Sequence, residues 1–238
     1  MGNNKDIKHA IILGSGLDSL IDGFSVKTLI EEDIEGIHKK RIFTARSDGF
    51  NILIFSGRKH YYEGYGMDEI IMSIRKAHEF GVKNLLITNA AGAVNPNFRE
   101  TDVMLIRSSV NFTKKTIPGK NVVLQDKLMK TIFQNSCRDL KLKCCEGIYG
   151  FLTGPAYETR SEIRMFRKFN IDAVGMSTVP ELYKASALGI RTLAVSVITN
   201  ILKENKPIPP KHDQVLFTAR KASLRLVPVI VRFFNELN

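Results

Sequence analysis

Short apolar runs rich in Ile, Val and Leu alternate along the chain with longer stretches of helical period. Runs of this length, bounded by Gly, Asn and Asp, predict strands at residues 9–13, 41–45, 51–55, 84–88, 102–106, 173–175 and 191–199. Ser47-Asp48-Gly49, between the second and third of these, is a hairpin signal. Residues 68–80 place Ile70, Ile71, Ile74 and Ala77 on one face and stop at Gly81, which suits a left-handed cap. Residues 126–140 form a second amphipathic segment. Thr159 with Glu162, and Thr178 with Glu181, each have capping-box spacing, so helices are expected to start there. A last helix is expected over 212–237, with Pro228 kinking or interrupting it. Strand, loop and helix recurring in this order predict an α/β fold: a mixed β-sheet flanked by helices. No Pro/Gly/Ser-rich linker, low-complexity tract or repeat divides the 238 residues, so a single domain is expected.

Composition narrows the class further. Hydrophobic residues make up 44% and charged ones 25%, which excludes a disordered or collagen-like chain. No apolar run approaches the roughly 18 residues that span a bilayer, and the first eight residues are polar with no hydrophobic segment behind them. No membrane association is expected, and a cytoplasmic location is. Cys137, Cys144 and Cys145 lack CxxC spacing, so reduced thiols are expected rather than a metal site or disulfide framework. The net charge of +11 fits an anionic substrate, a nucleic-acid partner or a Lys-rich surface. The basic residues are interleaved with acids and form no run of five, which argues against a nucleic-acid-binding arm.

In α/β sheets ligands bind beyond the carboxyl ends of the strands, so the loops that follow them carry the chemistry. The first strand enters Gly14-Ser15-Gly16-Leu17, where small residues let backbone amides approach an anion and Ser15 adds a hydroxyl. Ser19 stands where a dinucleotide fingerprint has its third glycine, and the Lys-Ser/Thr of a P-loop is missing. After the 51–55 strand come Arg58, a planar fork suited to phosphate, His60, a donor to an anion, and Glu63, able to orient that imidazole. Asn89-Ala90-Ala91-Gly92 again exposes amides after a strand. Tyr157-Glu158 pairs an aromatic face with a carboxylate, equipment for stacking a flat base and accepting hydrogen bonds from its edge. Met176-Ser177-Thr178 precedes a helix start, and Asn200 ends the last strand with one donor and one acceptor on a single amide. Taken singly, each has a plain alternative: a solvated loop, a packed Tyr157, a gap-filling Met176 or a strand-capping Asn200.

Taken together, six segments resemble the trimeric purine nucleoside phosphorylase family in order and spacing. They are Gly14-Ser15-Gly16, Gly57-Arg58-x-His60-x-Tyr62-Glu63-Gly64-Tyr65, Thr88-Asn89-Ala90-Ala91-Gly92, Gly154-Pro155-x-Tyr157-Glu158-Thr159, Gly175-Met176-Ser177-Thr178-Val179-Pro180-Glu181 and Ile198-Thr199-Asn200. The match runs from Ile11 to Asn200, with a looser echo at Lys211-His212-Asp213. The resemblance implies a nucleoside phosphorylase-like fold and phosphorolysis of a purine nucleoside to free base and pentose 1-phosphate, in purine salvage. By matching position, Ser15, Arg58, His60, the Ala90 amide and Ser177 resemble the phosphate cradle, and His38 the loop histidine that closes over it. Tyr62, Met176 and His212 resemble the ribose contacts. Tyr157 resembles the residue stacked on the purine, while Glu158 and Asn200 resemble the pair that reads its edge. Asn200, Glu158, His60 and Glu63 are thereby the candidate catalytic group. The implied co-substrate is inorganic phosphate, with no metal or organic cofactor, and the implied assembly is a homotrimer.

The resemblance also has departures. The 111–128 stretch is shorter than the family's usual segment, which supplies an aromatic residue to the neighbouring subunit; either Phe112 substitutes or that contact is lost. Residues 200–212 are abbreviated as well, and Tyr157 replaces the commoner Phe. Asn200 and His212 point to inosine and guanosine, since relatives that cleave methylthioadenosine carry Asp at the former position. Methylthioadenosine phosphorolysis is the near alternative, and a basic nucleic-acid-binding protein the distant one.

Overall fold

A computed structural model describes residues 7–33, 39–47, 49–117, 124–205 and 212–238, with the side chains of Val26 and His212 outside the description. Nine strands form a mixed sheet: β1 (His9–Leu13), β2 (Val26–Asp33), β3 (Lys40–Ser47), β4 (Phe50–Ser56), β5 (Asn84–Ala93), β6 (Val103–Asn111), β7 (Cys144–Phe151), β8 (Ala173–Gly175) and β9 (Arg191–Ile201). The helices are α1 (Met67–Ile70), α2 (Met72–Glu79), α3 (Lys127–Asp139), α4 (Arg160–Lys168), α5 (Val179–Ala187) and α6 (His212–Leu237).

The strand order begins β2-β3-β4-β1-β5, and β1 pairs in parallel with both β4 and β5. From β5 the sheet closes on itself, through β8, β7, β6 and β9 and back to β5. β1 is buried at every position because its two faces serve two cores. Ile11 and Leu13 face a cluster with Leu86, Val195 and the α6 residues Phe233 and Phe234, while Ala10 and Ile12 face another with Ile74, Leu85 and Ala194. That double burial is why central strands read as unbroken apolar runs instead of alternating ones.

The expected strands are all present, and the β3–β4 hairpin pairs Ser47 with Phe50. Asp48 of the turn signal lies outside the described residues. Two strands were not anticipated. β2 is an edge strand rich in charge, with Leu29 and Ile30 exposed and a register shift between Leu29 and Glu31. β7 carries Gly147 and Gly150, residues that weaken a strand reading. A Cβ on Gly147 would lie 2.4 Å from Met104 Sδ, so the glycine admits close packing between paired β6 and β7.

The helix expected over 68–80 is divided at Ile71 into α1 and α2. Thr159 and Glu162 make the expected capping box on α4, and Asp126 caps α3 through the Met129 amide at 3.0 Å. α6 runs through Pro228 without interruption. Leu226, Val229, Ile230, Phe233 and Phe234 are buried around that position, and their packing holds the turn that proline weakens.

Candidate active site

The loop after β1 lies directly against β5. A Cβ at Gly14 would stand 2.6 Å from Asn89 Cα, so no larger residue fits there. Gly14 N donates to Thr88 Oγ1 at 3.1 Å, and that hydroxyl donates to the Ile12 carbonyl at 3.0 Å. This close approach brings Ser15 and Ala90 to one cavity of about 320 Å³, which Arg58, His60, Ser177, Tyr62, Met176, Tyr157, Glu158 and Asn200 also line. Parts of the chain nearly 200 residues apart thus meet at one cavity. His38 lies outside the described residues, as does the side chain of His212, although His212 opens α6.

At one end of the cavity Arg58 is fixed by a buried ion pair. Its Nε donates to both carboxylate oxygens of Glu181, at 2.8 and 3.1 Å, and Nη1 donates to the Leu13 carbonyl at 3.2 Å. Its Nη2 is buried and has no protein partner. A guanidinium held on two of its nitrogens with the third unsatisfied is an oxyanion site in waiting, because an orphaned buried donor costs about 1–3 kcal/mol until an acceptor arrives.

Beside Arg58, His60 Nδ1 is 2.8 Å from Glu63 Oε1, and the Tyr62 ring stacks on the imidazole with centroids 4.8 Å apart. The carboxylate selects Nδ1 as the protonated nitrogen, so Nε2 is the one that exchanges a proton or hydrogen bond with a ligand. Burial first, then the Glu63 charge, pushes the Tyr62 hydroxyl up to about 12, so it stays neutral.

Glu181 corrects one expectation. The capping box with Thr178 does not form, because the carboxylate is turned to Arg58. A buried guanidinium left unpaired costs far more than an uncapped amide, so the ion pair wins. Thr178 is buried at φ 82° and accepts a hydrogen bond from Asn89 Nδ2 at 2.9 Å. The left-handed region costs a β-branched residue roughly 1–3 kcal/mol, which the surrounding packing must absorb. The Tyr149 hydroxyl meanwhile donates to the Ser177 carbonyl at 3.3 Å. Ser177 is therefore gripped on both sides.

The other end of the cavity is built for a different ligand surface. Tyr157 is 38% exposed at the mouth. Glu158 beside it has its carboxyl pushed above the usual range, by burial first and then by the charge of Glu162. β5 and β9 run in register until Ala91 and Ile198, after which Gly92 pairs with Asn200 and Thr199 is the extra residue of a bulge. Bulges re-aim side chains, and this one brings Asn200 to the cavity wall. The Thr199 hydroxyl donates to Asn200 Oδ1 at 3.1 Å, leaving the Nδ2 hydrogens for a ligand acceptor.

Phe112 packs on Phe166 and Phe169 of its own chain, with ring centroids at 5.0 and 6.3 Å. Glu181, Asn89 and Val215 belong to the site but were not singled out for it. Glu181 had a signal, a charged residue in a helix that the fold buries. Asn89 stood inside a recognised segment, and Val215 is one apolar residue among many in α6.

The arrangement can hold an oxyanion at Arg58, His60 and Ser177 and a planar heterocycle at Tyr157, Glu158 and Asn200, with room for a sugar between them. A family model described as the phosphorylase superfamily matches residues 8–235. Purine nucleoside phosphorylase 1 of Bacillus subtilis is 35% identical over 94% of this chain and 91% of its own length. Schistosoma mansoni purine nucleoside phosphorylase in complex with inosine superposes with a TM-score of 0.87 at 25% identity, over 98% of this chain and 91% of that one. Isoform 2 from the same organism, in complex with cytosine and ribose-1-phosphate, gives 0.87 at 30% identity with the same coverage.

Proposed function

The chain belongs to the phosphorylase superfamily and, within it, to the purine nucleoside phosphorylases, and from that premise we propose that it acts on 6-oxopurine nucleosides such as inosine and guanosine. The reaction of the family is phosphorolysis: a phosphate oxygen bonds to C1′ of the pentose, the bond from C1′ to purine N9 breaks, and its electron pair leaves with the base. Positive charge develops on the sugar and negative charge on the purine, so the catalyst must stabilise both.

In this reading Arg58 Nη2, the Ser15 and Ser177 hydroxyls, the Ala90 amide and His60 hold the phosphate, whose own charge faces the developing cation. Glu63 fixes the His60 tautomer. Tyr62 and Met176 border the sugar, while His212 as a ribose contact and His38 as the histidine over the phosphate rest on the resemblance alone. Tyr157 stacks on the base, Asn200 Nδ2 donates to N7 where charge gathers, and the Glu158 carboxylate accepts from N1–H. A 6-aminopurine presents a lone pair at N1, which a carboxylate repels, so the pair favours a 6-oxo base. The chemistry so written draws on no metal or organic cofactor.

The observation that carries the proposal is the junction of two unlike ends in one cavity: an orphaned Arg58 Nη2 at one, and a donor amide beside a carboxylate at the other. A homotrimer of single-domain subunits in the cytoplasm completes it. No helix among the described residues is long and apolar enough to cross a membrane, and the three cysteines are free. The test compares inosine, guanosine, adenosine and methylthioadenosine, each with and without phosphate. Phosphate-dependent release of hypoxanthine and guanine, faster than adenine release, is expected. Preference for adenosine or methylthioadenosine would overturn the 6-oxopurine assignment.

A further inference from the structure

A second cavity, about 220 Å³, lies on the far side of the phosphate cradle. It shares Gly14, Ser15, Arg58 and His60 with the first, and its other charged lining among the described residues is Lys39, Arg41, Arg220 and the one acid Asp18. Arg58 and His60 are each 7% exposed, whereas Lys39 and Arg220 are exposed, so the cavity leads from solvent to the buried cradle. The mouth beside Tyr157 and Pro155 opens only the first cavity.

Among the described residues the cations here differ from their neighbours in forming no ion pairs. Lys40 and Lys59, next in sequence to Lys39 and Arg58, both pair with Asp33. Among the described residues no ion pair forms at Lys39, Arg41 or Arg220, and Arg41 Nε is buried without a hydrogen-bond partner. Asp18 is engaged by the Ser56 hydroxyl at 2.6 Å. Three cations against the single carboxylate of Asp18, at the entrance to an oxyanion cradle whose Arg58 is already neutralised by Glu181, leave a net positive field that concentrates a divalent oxyanion.

We infer that this cavity is a separate loading vestibule for inorganic phosphate, through which the anion reaches Arg58 and His60 without passing the nucleoside mouth. The inference rests on the functional reading above and adds Lys39, Arg41 and Arg220 as residues that set phosphate affinity. It also assigns part of the +11 net charge to the enzyme's own co-substrate.

The test reverses charge at the two exposed positions, Lys39→Glu and Arg220→Glu, with Lys168→Glu on the exposed face of α4 as a control of equal charge change. Reversing one charge at about one Debye length from a divalent anion should raise KM for phosphate about threefold to fourfold in each vestibule variant. KM for inosine and kcat at saturating phosphate should not move, and Lys168→Glu should match the unmodified protein. The rise of phosphate KM with added salt should be shallower in both variants. Phosphate KM within twofold of the control, or inosine KM rising in step with it, would overturn the vestibule. An unmodified protein without phosphate-dependent turnover would overturn the functional reading instead.

Discussion

Arg58→Met, alone and combined with Glu181→Leu, separates what the buried ion pair does for folding from what it does for phosphate. The two side chains are 6% and 2% exposed and joined by two hydrogen bonds from Nε. Removing the cation alone strands a carboxylate among Tyr149, Thr178 and the loop after β4, a loss of about 3–5 kcal/mol. For a chain of this length 1 kcal/mol moves the melting midpoint by about 2–4 °C, so a fall on the order of 10 °C is expected. Replacing both partners by apolar groups removes the desolvation of both charges along with their attraction, and stability should return to within about 1–2 kcal/mol of the unmodified protein. Activity should not return. Loss of a donor at an oxyanion site costs on the order of 100-fold, and both variants lack the same donor. The assay is urea denaturation without phosphate, alongside initial rates against phosphate concentration. A single variant as stable as the parent, or a double variant no more stable than the single, would refute the claim that Glu181 is committed to Arg58 by charge.

Glu158 gives a pH prediction: the carboxylate form must accept N1–H, and burial raises its pKa above the ordinary 4.5. Inosine kcat/KM should therefore decline as pH falls through a value above that range, and the limb should vanish in Glu158→Gln; an unchanged limb in the variant would assign it elsewhere. The same raised pKa means the folded state binds the proton more tightly than the unfolded one, so this group's contribution to stability is present below 4.5 and is lost as pH rises through the folded value. Asn200→Asp should raise the adenosine-to-inosine activity ratio, measured by base release, since a carboxylate there can accept from a 6-amino group and repels a 6-oxo oxygen; a constant ratio would contradict base reading by this residue. Glu63→Gln weakens a charge-assisted hydrogen bond worth about 1.5–3 kcal/mol, so kcat should fall by roughly 10- to 100-fold with inosine KM little changed, as seen in steady-state kinetics.

The elements legible in the sequence were those whose burial leaves a mark. β1, β5 and β9 are sandwiched between two cores and therefore carry consecutive apolar residues, at 10–13, 85–87 and 193–195, that face opposite sides. β2 left no such mark, being a charged edge, and β7 hid behind Gly147, which admits close packing against β6, and Gly150, which does so against Val174 of β8. Within the site, residues in loops directly after strands were readable because loops with Arg, His and small residues together have little structural reason to exist. Glu181 was not readable as Arg58's partner, since the two stand 123 residues apart and local spacing offered the carboxylate a competing role as a cap. The same limit applies to Asn200, whose aim depends on a bulge that only pairing with β5 creates.

The two ends of the cavity differ in how they are held, and this difference predicts how the enzyme can change. The phosphate end is bound into the fold: Arg58 is locked to Glu181 and the Leu13 carbonyl, and Ser177 is gripped through Tyr149 and Thr178. A single substitution there must disturb folding and chemistry together, since it leaves the buried partner stranded. The base end depends on Tyr157, partly exposed, and on Glu158, whose raised pKa marks a carboxyl that would relinquish its charge at little cost. Replacing Glu158 therefore removes an unfavourable burial as it removes a substrate contact, so stability should hold or rise slightly while base preference shifts. Denaturation midpoints for Glu158→Gln at or above the parent, beside a fall of about 10 °C for Arg58→Met, are the expected contrast. Equal losses at both positions would mean that recognition of the base is as deeply built into the fold as recognition of phosphate.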